Sequence, residues 1–444
     1  MPLFYQNPVI HADYADPDVI RTGDDFWMVA SSFHQLPGLP LLHSRDLIHW
    51  QIVNHIVKRL PSPEYDSVQP GKGIWAPSIR FHDGQFWVFY SLPDEGIFVS
   101  HARDPLGEWS EPYCLNASPG WIDPCPFWDD DGRAWLIHAF AFSRSGVKNK
   151  LQLFEMAPDA SRLLDNGWIV VDGTPSHPTL EGPKLYKRNG EYWIFAPAGG
   201  VKRGWQTVMR APTLSGPWQS RDVLHQGNSP INGPHQGAWV ELENGENWFF
   251  HFQDKGVYGR IVHLQPLCWG ADGWPQIGQR LNDTGKGQPV SLHRLPALPV
   301  EKFPAERFDV QTAVDPMFSQ DGDEAGIAIY GQRFAALCVT YRAANLQLAL
   351  CHGWIDDRGE THQQSIGLEE VTGCKEIELG FQVDYDGVVH FRYRLAQREW
   401  RQVTPQFSAG AGKWIGARMG IYARGERENV KGSAIFSPFI VRLQ

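Results

Sequence analysis

A turn glycine followed by a tryptophan that opens an apolar run occurs five times before residue 252 of this chain. The copies are Gly23 to Trp27, Gly84 to Trp87, Gly132 to Trp135, Gly190 to Trp193 and Gly245 to Trp248, and four of the five share one spacing. They recur roughly every 50 to 60 residues, a period that belongs to radial β-architectures. Glycine supplies the positive φ of a tight turn, and the aromatic strand after it packs against a neighbouring blade. Five units predict a five-bladed β-propeller, and they direct the search for chemistry to the mouth of its central channel.

A second phrase follows three of these units: Ser44 to Trp50, Ala102 to Trp109 and Ala211 to Trp218. It reads as the outer turn and edge strand of a blade. The third and fifth units lack a clean copy, so the repeat is imperfect. With 44 glycines, 33 prolines and 19 tryptophans in 444 residues, the chain is all-β in character, with no heptads and no long helical period. Its net charge of −10 argues against nucleic acid or an anionic membrane as partner and favours a neutral substrate. No run is long enough to span a bilayer and the start shows no signal peptide, so the expected location is cytoplasmic. The six cysteines form no CxxC pair and are expected to be reduced and mostly buried. Pro296, Pro299 and Pro304 follow Gly285 to Pro289 and mark a boundary, giving a propeller over 1–295 and a second domain over 300–444. The second domain holds alternating strands around Gly326–Tyr330, Leu346–Leu350, Val388–Arg394 and Ala417–Tyr422, which suggest a two-sheet β-sandwich.

Three carboxylates stand at comparable places in different units: Asp16 before Pro17, Asp123 before Pro124, and Glu181 before Gly182-Pro183. Each precedes an apolar strand. In a propeller the innermost strands all begin at one end of the channel, so these three would converge on the axis. Their mutual repulsion would raise at least one pKa and keep a carboxylic acid protonated near neutrality. An acid before proline is ordinarily only a turn-former, and Asp129-Asp130-Asp131-Gly132, which imitates a metal run, is expected to be a solvated hairpin.

Together the segments resemble glycoside hydrolase family 43. The resemblance rests on Asn7-Pro8-Val9-Ile10 with Ala15-Asp16-Pro17-Asp18, Trp75-Ala76-Pro77, Ile122-Asp123-Pro124, Glu181-Gly182-Pro183-Lys184 and Gly259-Arg260 through Gln265-Pro266. It covers essentially residues 5 to 290, and the C-terminal stretch resembles the concanavalin-like sandwich of that family's β-xylosidases. It implies an inverting glycosidase with Asp16 as general base, Glu181 as general acid and Asp123 raising the acid's pKa and orienting it. Asp18 is a rival for the base, but the motif uses the aspartate directly before proline. The resemblance also implies that Arg260 bonds a sugar hydroxyl and that Trp75 and Phe33 offer apolar faces to the ring.

His235 falls where family members place a channel histidine beside a hydrated Ca²⁺ or other cation. Such an ion would be structural or electrostatic and is not required for the chemistry. The implied substrates are short xylo-oligosaccharides, cut by an exo-acting β-D-xylosidase; an α-L-arabinofuranosidase or a bifunctional enzyme is the alternative, and a non-catalytic sugar-binding propeller the alternative from another class. Fructosidases share the architecture, but their opening motif and acid motif are absent; Arg103-Asp104-Pro105 imitates them only within the outer-turn phrase. The sandwich is expected to dock, with the loop Phe407 to Trp414 closing one side of the pocket and Trp414 reaching a sugar. A homo-oligomer is left open.

Overall fold

The structure, a computed structural model, describes residues 4–67, 69–281, 286–294, 307–318, 320–356, 360–374, 376–384, 387–396, 398–410, 417–424, 433–437 and 440–443. Two compact units emerge: Met1–Asp254 with Arg260–Phe303, and Lys255–Gly259 with Pro304–Gln444. The expected sandwich loop reaches into 411–416, so Trp414 lies outside the described residues.

The first unit is a five-bladed propeller of four-stranded antiparallel sheets. Blade 1 comprises Asp18–Thr22, Asp25–Val29, Gly38–Ser44 and Gln51–Val57, and blade 2 comprises Ser78–His82, Gln85–Leu92, Gly96–Ala102 and Tyr113–Asn116. Blade 3 runs through Trp121–Trp128, Ala134–Phe140, Lys150–Met156 and Trp168–Asp172. Blade 4 is Lys184–Arg188, Glu191–Ala198, Trp205–Ala211 and Gln219–Leu224, widened by Lys286–Gln288 and Gln279–Leu281. Blade 5 is Trp239–Glu241, Asn247–Asp254, Arg260–Trp269 and Pro275–Ile277. The first strand of blade 1 touches those of blades 2 and 5, and that of blade 3 touches those of blades 2 and 4. First strands are therefore innermost.

The repeated phrase now has a mechanical meaning. Each of its glycines turns the innermost strand into the second, with φ of 62° at Gly23 and 83° at Gly132. A Cβ there would meet nothing within 4 Å, so backbone conformation rather than packing requires glycine. The second strand is buried on both faces, and alternate residues serve opposite neighbours. In blade 1, Phe26 and Met28 pack with blade 5, while Trp27 and Val29 pack with blade 2. The tryptophan always faces the next blade: Trp87 the core of blades 2 and 3, Trp135 that of 3 and 4, Trp193 that of 4 and 5, Trp248 that of 5 and 1. The second phrase spans the turn from the third strand to the outermost one.

The ring closes through the chain's beginning. Phe4–Gln6 pairs with Leu292–Arg294, and Ile10 bridges Val262. The Asn7 amide donates to the carbonyls of Leu264 and Val290 at 2.7 and 2.8 Å and accepts from the Leu264 N–H at 2.8 Å. The hairpin run departs from expectation at one acid. Asp129 is buried, not solvated, because Lys187 and Tyr192 of blade 4 bond it. Burial alone would raise its pKa, but these hydrogen bonds hold it below the usual carboxylate range.

The second unit is a β-sandwich. One sheet orders Arg401–Gln402, Val388–Leu395, Ile377–Val383, Phe308–Met317 and Ser433–Phe436, with Phe407–Ser408 and Ile440–Leu443 attached. The other orders Thr361–Glu370, Asn345–Ile355, Arg333–Arg342, Glu324–Tyr330 and Arg418–Arg424. Val310, Leu379 and Phe391 of the first sheet share a core with Ile327, Leu337 and Leu350 of the second. All six cysteines are free; Cys125, Cys338 and Cys351 are buried, but Cys114 and Cys268 are exposed, so burial is less general than expected. Among the described residues no helix is long and apolar enough to cross a membrane.

Two substitutions separate turn geometry from ring closure. Gly132→Ala should destabilise by about 1–2 kcal/mol through its left-handed backbone alone. Asn7→Ala strands buried backbone groups and should cost about 3 kcal/mol. Urea unfolding followed by tryptophan fluorescence measures both, and a neutral Gly132→Ala would refute the backbone account.

Candidate active site

The three carboxylates occupy matching places. Asp16 lies two residues before the innermost strand of blade 1, Glu181 three before that of blade 4, and Asp123 within that of blade 3, where the register shifts between Ile122 and Cys125. Asp16 and Asp123 both adopt left-handed backbone, with φ of 56° and 57°. Aspartate tolerates that region better than most residues, and such conformations gather where surrounding structure must aim a side chain.

Each acid has its own partners. Asp16 is buried; Ser31 Oγ donates to its Oδ2 at 2.5 Å, and Arg260 Nη1 lies 3.3 Å from Oδ1 and 3.4 Å from Oδ2. Ser31 is itself anchored, its N–H donating to the Ala15 carbonyl at 2.9 Å. Arg260 is fixed by its own N–H to Asp13 Oδ1 at 2.7 Å, and its guanidinium lies 4.9 Å from the Phe252 ring centre and 5.8 Å from that of Phe33. Glu181 is the most open of the three, with its side chain 25% exposed, and His235 Nε2 sits 2.8 Å from its Oε1. Asp123 Oδ2 accepts the Gly182 N–H at 2.8 Å. Gly182 cannot be replaced lightly: its φ is 57°, and a Cβ would come within 2.7 Å of the Gln236 side chain.

Electrostatics join the three. Burial pushes Asp123 well above the usual carboxylate range, and the charges of Glu181 and then Asp16 push it further. The sequence reading required at least one raised acid, and in the free chain it is Asp123.

Asp18, the rival base, has different partners. It is fully buried, and its Oδ2 accepts the Ile79 N–H at 2.8 Å and Arg80 Nη1 at 2.7 Å, with Lys184 Nζ at 3.6 Å. Lys184 also donates to the Pro77 carbonyl and to Ser78 Oγ. This ion cluster lies one step further along the innermost strands than the acids. Beyond it a cavity of about 380 Å³ is lined from all five innermost strands, including Ile20, Phe81, Phe127, Tyr186 and Trp239.

The expected sugar-facing residues fare unevenly. Phe33 is drawn to Arg260, its own φ being 53°. Trp75 has its ring 5.1 Å from the Arg144 guanidinium and packs on the core of blades 3 and 4, which includes Ile122 and Leu180 beside two of the acids. His235 is buried, its Nε2 given to Glu181 and its Nδ1 without a protein partner. One nitrogen is not a calcium cage, which needs six to eight oxygens, and among the described residues His235 joins no cluster of three close ligands. Ser31 and Arg80 escaped the sequence reading. Neither carries a local signal, whereas Lys184 could have been noticed in Glu181-Gly182-Pro183-Lys184.

The profile of Glycosyl hydrolases family 43 matches residues 5–275, and that of the Beta xylosidase C-terminal Concanavalin A-like domain matches residues 280–442. The chain belongs to glycosyl hydrolases family 43. A protein of Xylanibacter ruminicola is 43% identical over 293 residues, covering 66% of this chain and 54% of that one. The Beta-xylosidase of Formosa agariphila is 31% identical over 322 residues, with the same shares. The non-reducing end alpha-L-arabinofuranosidase of Bacteroides ovatus is 30% identical over 299 residues, covering 62% and 54%. The chain spans about half the length of these curated relatives. Among solved structures, the xylan beta-1,4-xylosidase from Bacillus halodurans aligns at a TM-score of 0.84 over 98% of this chain and 99% of that one, with 23% identity, a likeness of fold.

The raised Asp123 gives this family 43 site a stability signature. The folded chain keeps the Asp123 proton at pH values where the unfolded chain has already released it. Stability contributed by this group is therefore lost as pH rises from about 4 through the raised pKa. Asp123→Asn retains an acceptor for Gly182 and should melt higher than the parent at neutral pH, the gain shrinking as pH falls toward 4. Thermal melts of both proteins across that range check it; an equal or lower melting point for the variant at neutral pH would overturn the assignment.

Proposed function

We propose that the chain is an inverting, exo-acting glycoside hydrolase that releases xylose from the non-reducing end of β-1,4-xylo-oligosaccharides. Asp16 acts as general base and Glu181 as general acid, and Asp123 orients the acid through the Gly182 N–H that it accepts. The observation that supports this most is that three carboxyls from three blades gather on one axis: burial raises Asp123, and the charges of Glu181 and then Asp16 raise it further.

In this reading Ser31 and Arg260 fix the Asp16 carboxylate so that it can hold a water against the anomeric carbon. Glu181, the more open of the acids, is placed to give a proton to the leaving oxygen. Inversion requires the base and acid about 6.5–9.5 Å apart, which leaves room for the water. The ion cluster of Asp18, Arg80 and Lys184 lies behind the acids and supports a pocket blind in depth, as exo action needs.

The preference for xylose draws support from relatives named beta-xylosidase and from the matched C-terminal domain. A relative named as an arabinofuranosidase favours the second reading, an α-L-arabinofuranosidase or a bifunctional enzyme. Comparing kcat/KM on nitrophenyl β-D-xylopyranoside and nitrophenyl α-L-arabinofuranoside separates the two, with the xyloside expected to be preferred.

Asp16→Ala and Glu181→Ala should each lower xylobiose turnover by about 10²–10⁴-fold. Glu181→Ala should keep more activity on the nitrophenyl xyloside, whose leaving group needs little protonation. Near-parental xylobiose hydrolysis by either variant would remove that residue from the mechanism.

Proton NMR of the first turnovers should show α-xylose released from a β-xyloside. A β-anomer would mean retention and would make Asp16 a nucleophile.

A further inference from the structure

We propose that the sandwich unit carries a thiolate-rich metal site formed by Cys338, Cys351 and Glu324 and suited to Zn²⁺. The three residues come from neighbouring strands, Arg333–Arg342, Asn345–Ile355 and Glu324–Tyr330. Their ligand atoms all lie within 4.8 Å of one another, and all three residues are buried. Tetrahedral Zn–S bonds of about 2.3 Å put two sulfurs about 3.8 Å apart, so small side-chain movements would close the site.

These side chains do not fill the sandwich core. On the same strands Ala325, Leu337, Val339 and Leu350 point into that core, and strand alternation sends Glu324, Cys338 and Cys351 to the opposite face. There Cys338 and Cys351 form a separate small cluster with Ala336 and Ala349. Two cysteines and a carboxylate on the outer face of a sheet are not what apolar burial selects. The two thiols hydrogen-bond each other, and their further contacts include Cys338 Sγ at 3.6 Å from the Ala349 carbonyl and Cys351 Sγ at 3.4 Å from Ser365 Oγ.

The surroundings meet the other requirements of a metal site. Tyr422 Oη and Arg424 Nε both donate to Glu324 Oε1, at 3.0 and 2.6 Å, so neither of these bonds engages Oε2. Ligating carboxylates are ordinarily held by such outer hydrogen bonds. Two thiolates and a carboxylate carry three negative charges, which a divalent ion and the Arg424 guanidinium neutralise. A cavity of about 440 Å³, lined by Glu324, Cys351, Tyr422 and Arg424 among others, offers an entry path and room for a water as fourth ligand. Thiolates select Zn²⁺ and its softer relatives over Ca²⁺ or Mg²⁺.

The test uses the full chain kept reduced, with Cd²⁺ as spectroscopic probe. Titration should produce a thiolate-to-cadmium charge-transfer band saturating at one ion per chain, and Zn²⁺ should compete it away. Cys338→Ser with Cys351→Ser should abolish the band, Glu324→Gln should weaken binding by at least about tenfold, and Cys114→Ser with Cys268→Ser should leave it unchanged. A saturable band that persists without Cys338 and Cys351, or none in the parent, overturns the proposal. Because the double variant tests folding as well, zinc-edge X-ray absorption of the parent loaded with one Zn²⁺ gives an independent answer. Two sulfur neighbours are expected, and a shell of only oxygen and nitrogen overturns the site.

Discussion

The buried carboxylate of Asp18 is the point on which the propeller's axis depends. Its charge is taken up by Arg80 at 2.7 Å and by Lys184 at 3.6 Å, from blades 2 and 4, and Arg80 reaches on to Cys125 Sγ of blade 3 at 3.0 Å. Four innermost strands are thus tied together by polar contacts where a propeller otherwise has a hole. Breaking a buried ion pair by removing one partner typically costs about 3–5 kcal/mol, because the remaining charge has no water to turn to. The same cluster divides the axis in two. The acids stand on one side of it and an aromatic cavity on the other, so whatever enters from the acid side meets a charged floor.

Above that floor like groups are treated unequally. Asp16 is matched by a guanidinium and a hydroxyl, Glu181 by an imidazole, and Asp123 by one backbone N–H. The least compensated and most buried of them carries the repulsion of the other two. Left-handed backbone at Asp16 and Asp123 adds strain at the same positions. The interblade cores and the ring closure hold these groups in an arrangement they would not adopt alone.

Legibility in the sequence followed the range of the interactions. The blades could be read because each inner turn imposes a local demand, a positive φ at Gly23, Gly84, Gly132, Gly190 and Gly245, and the tryptophan after it always serves the next blade. The acids could be placed because their spacing from the innermost strands is local too. What separates the surroundings of Asp16 from those of Asp18, two residues away in the same motif, is not local: their cations come from residues 80, 184 and 260. Asp129 was misread for the same reason, since its partners Lys187 and Tyr192 come from the next blade. Ser31 is one of many serines until the fold sets its hydroxyl on Asp16. Which of the acids holds the proton depends on burial, and no spacing reports that.

The closure of the ring by residues 4–10 bears on how the chain is made. These residues are synthesised before every blade, yet their partners lie at Leu264, Val290 and Leu292–Arg294. Throughout synthesis of four blades the leading segment has no strand to join, and the flank of blade 1 that will face blade 5 stays open. Loop closure over more than 250 residues carries a modest entropic cost, but it comes late. During that interval Phe26 and Met28 have no blade to pack on, and a second nascent chain on the same message presents the complementary surface. A propeller of this design is therefore exposed to its own siblings until its fifth blade is made, and the rate of elongation from blade 1 through residue 294 sets how long that exposure lasts.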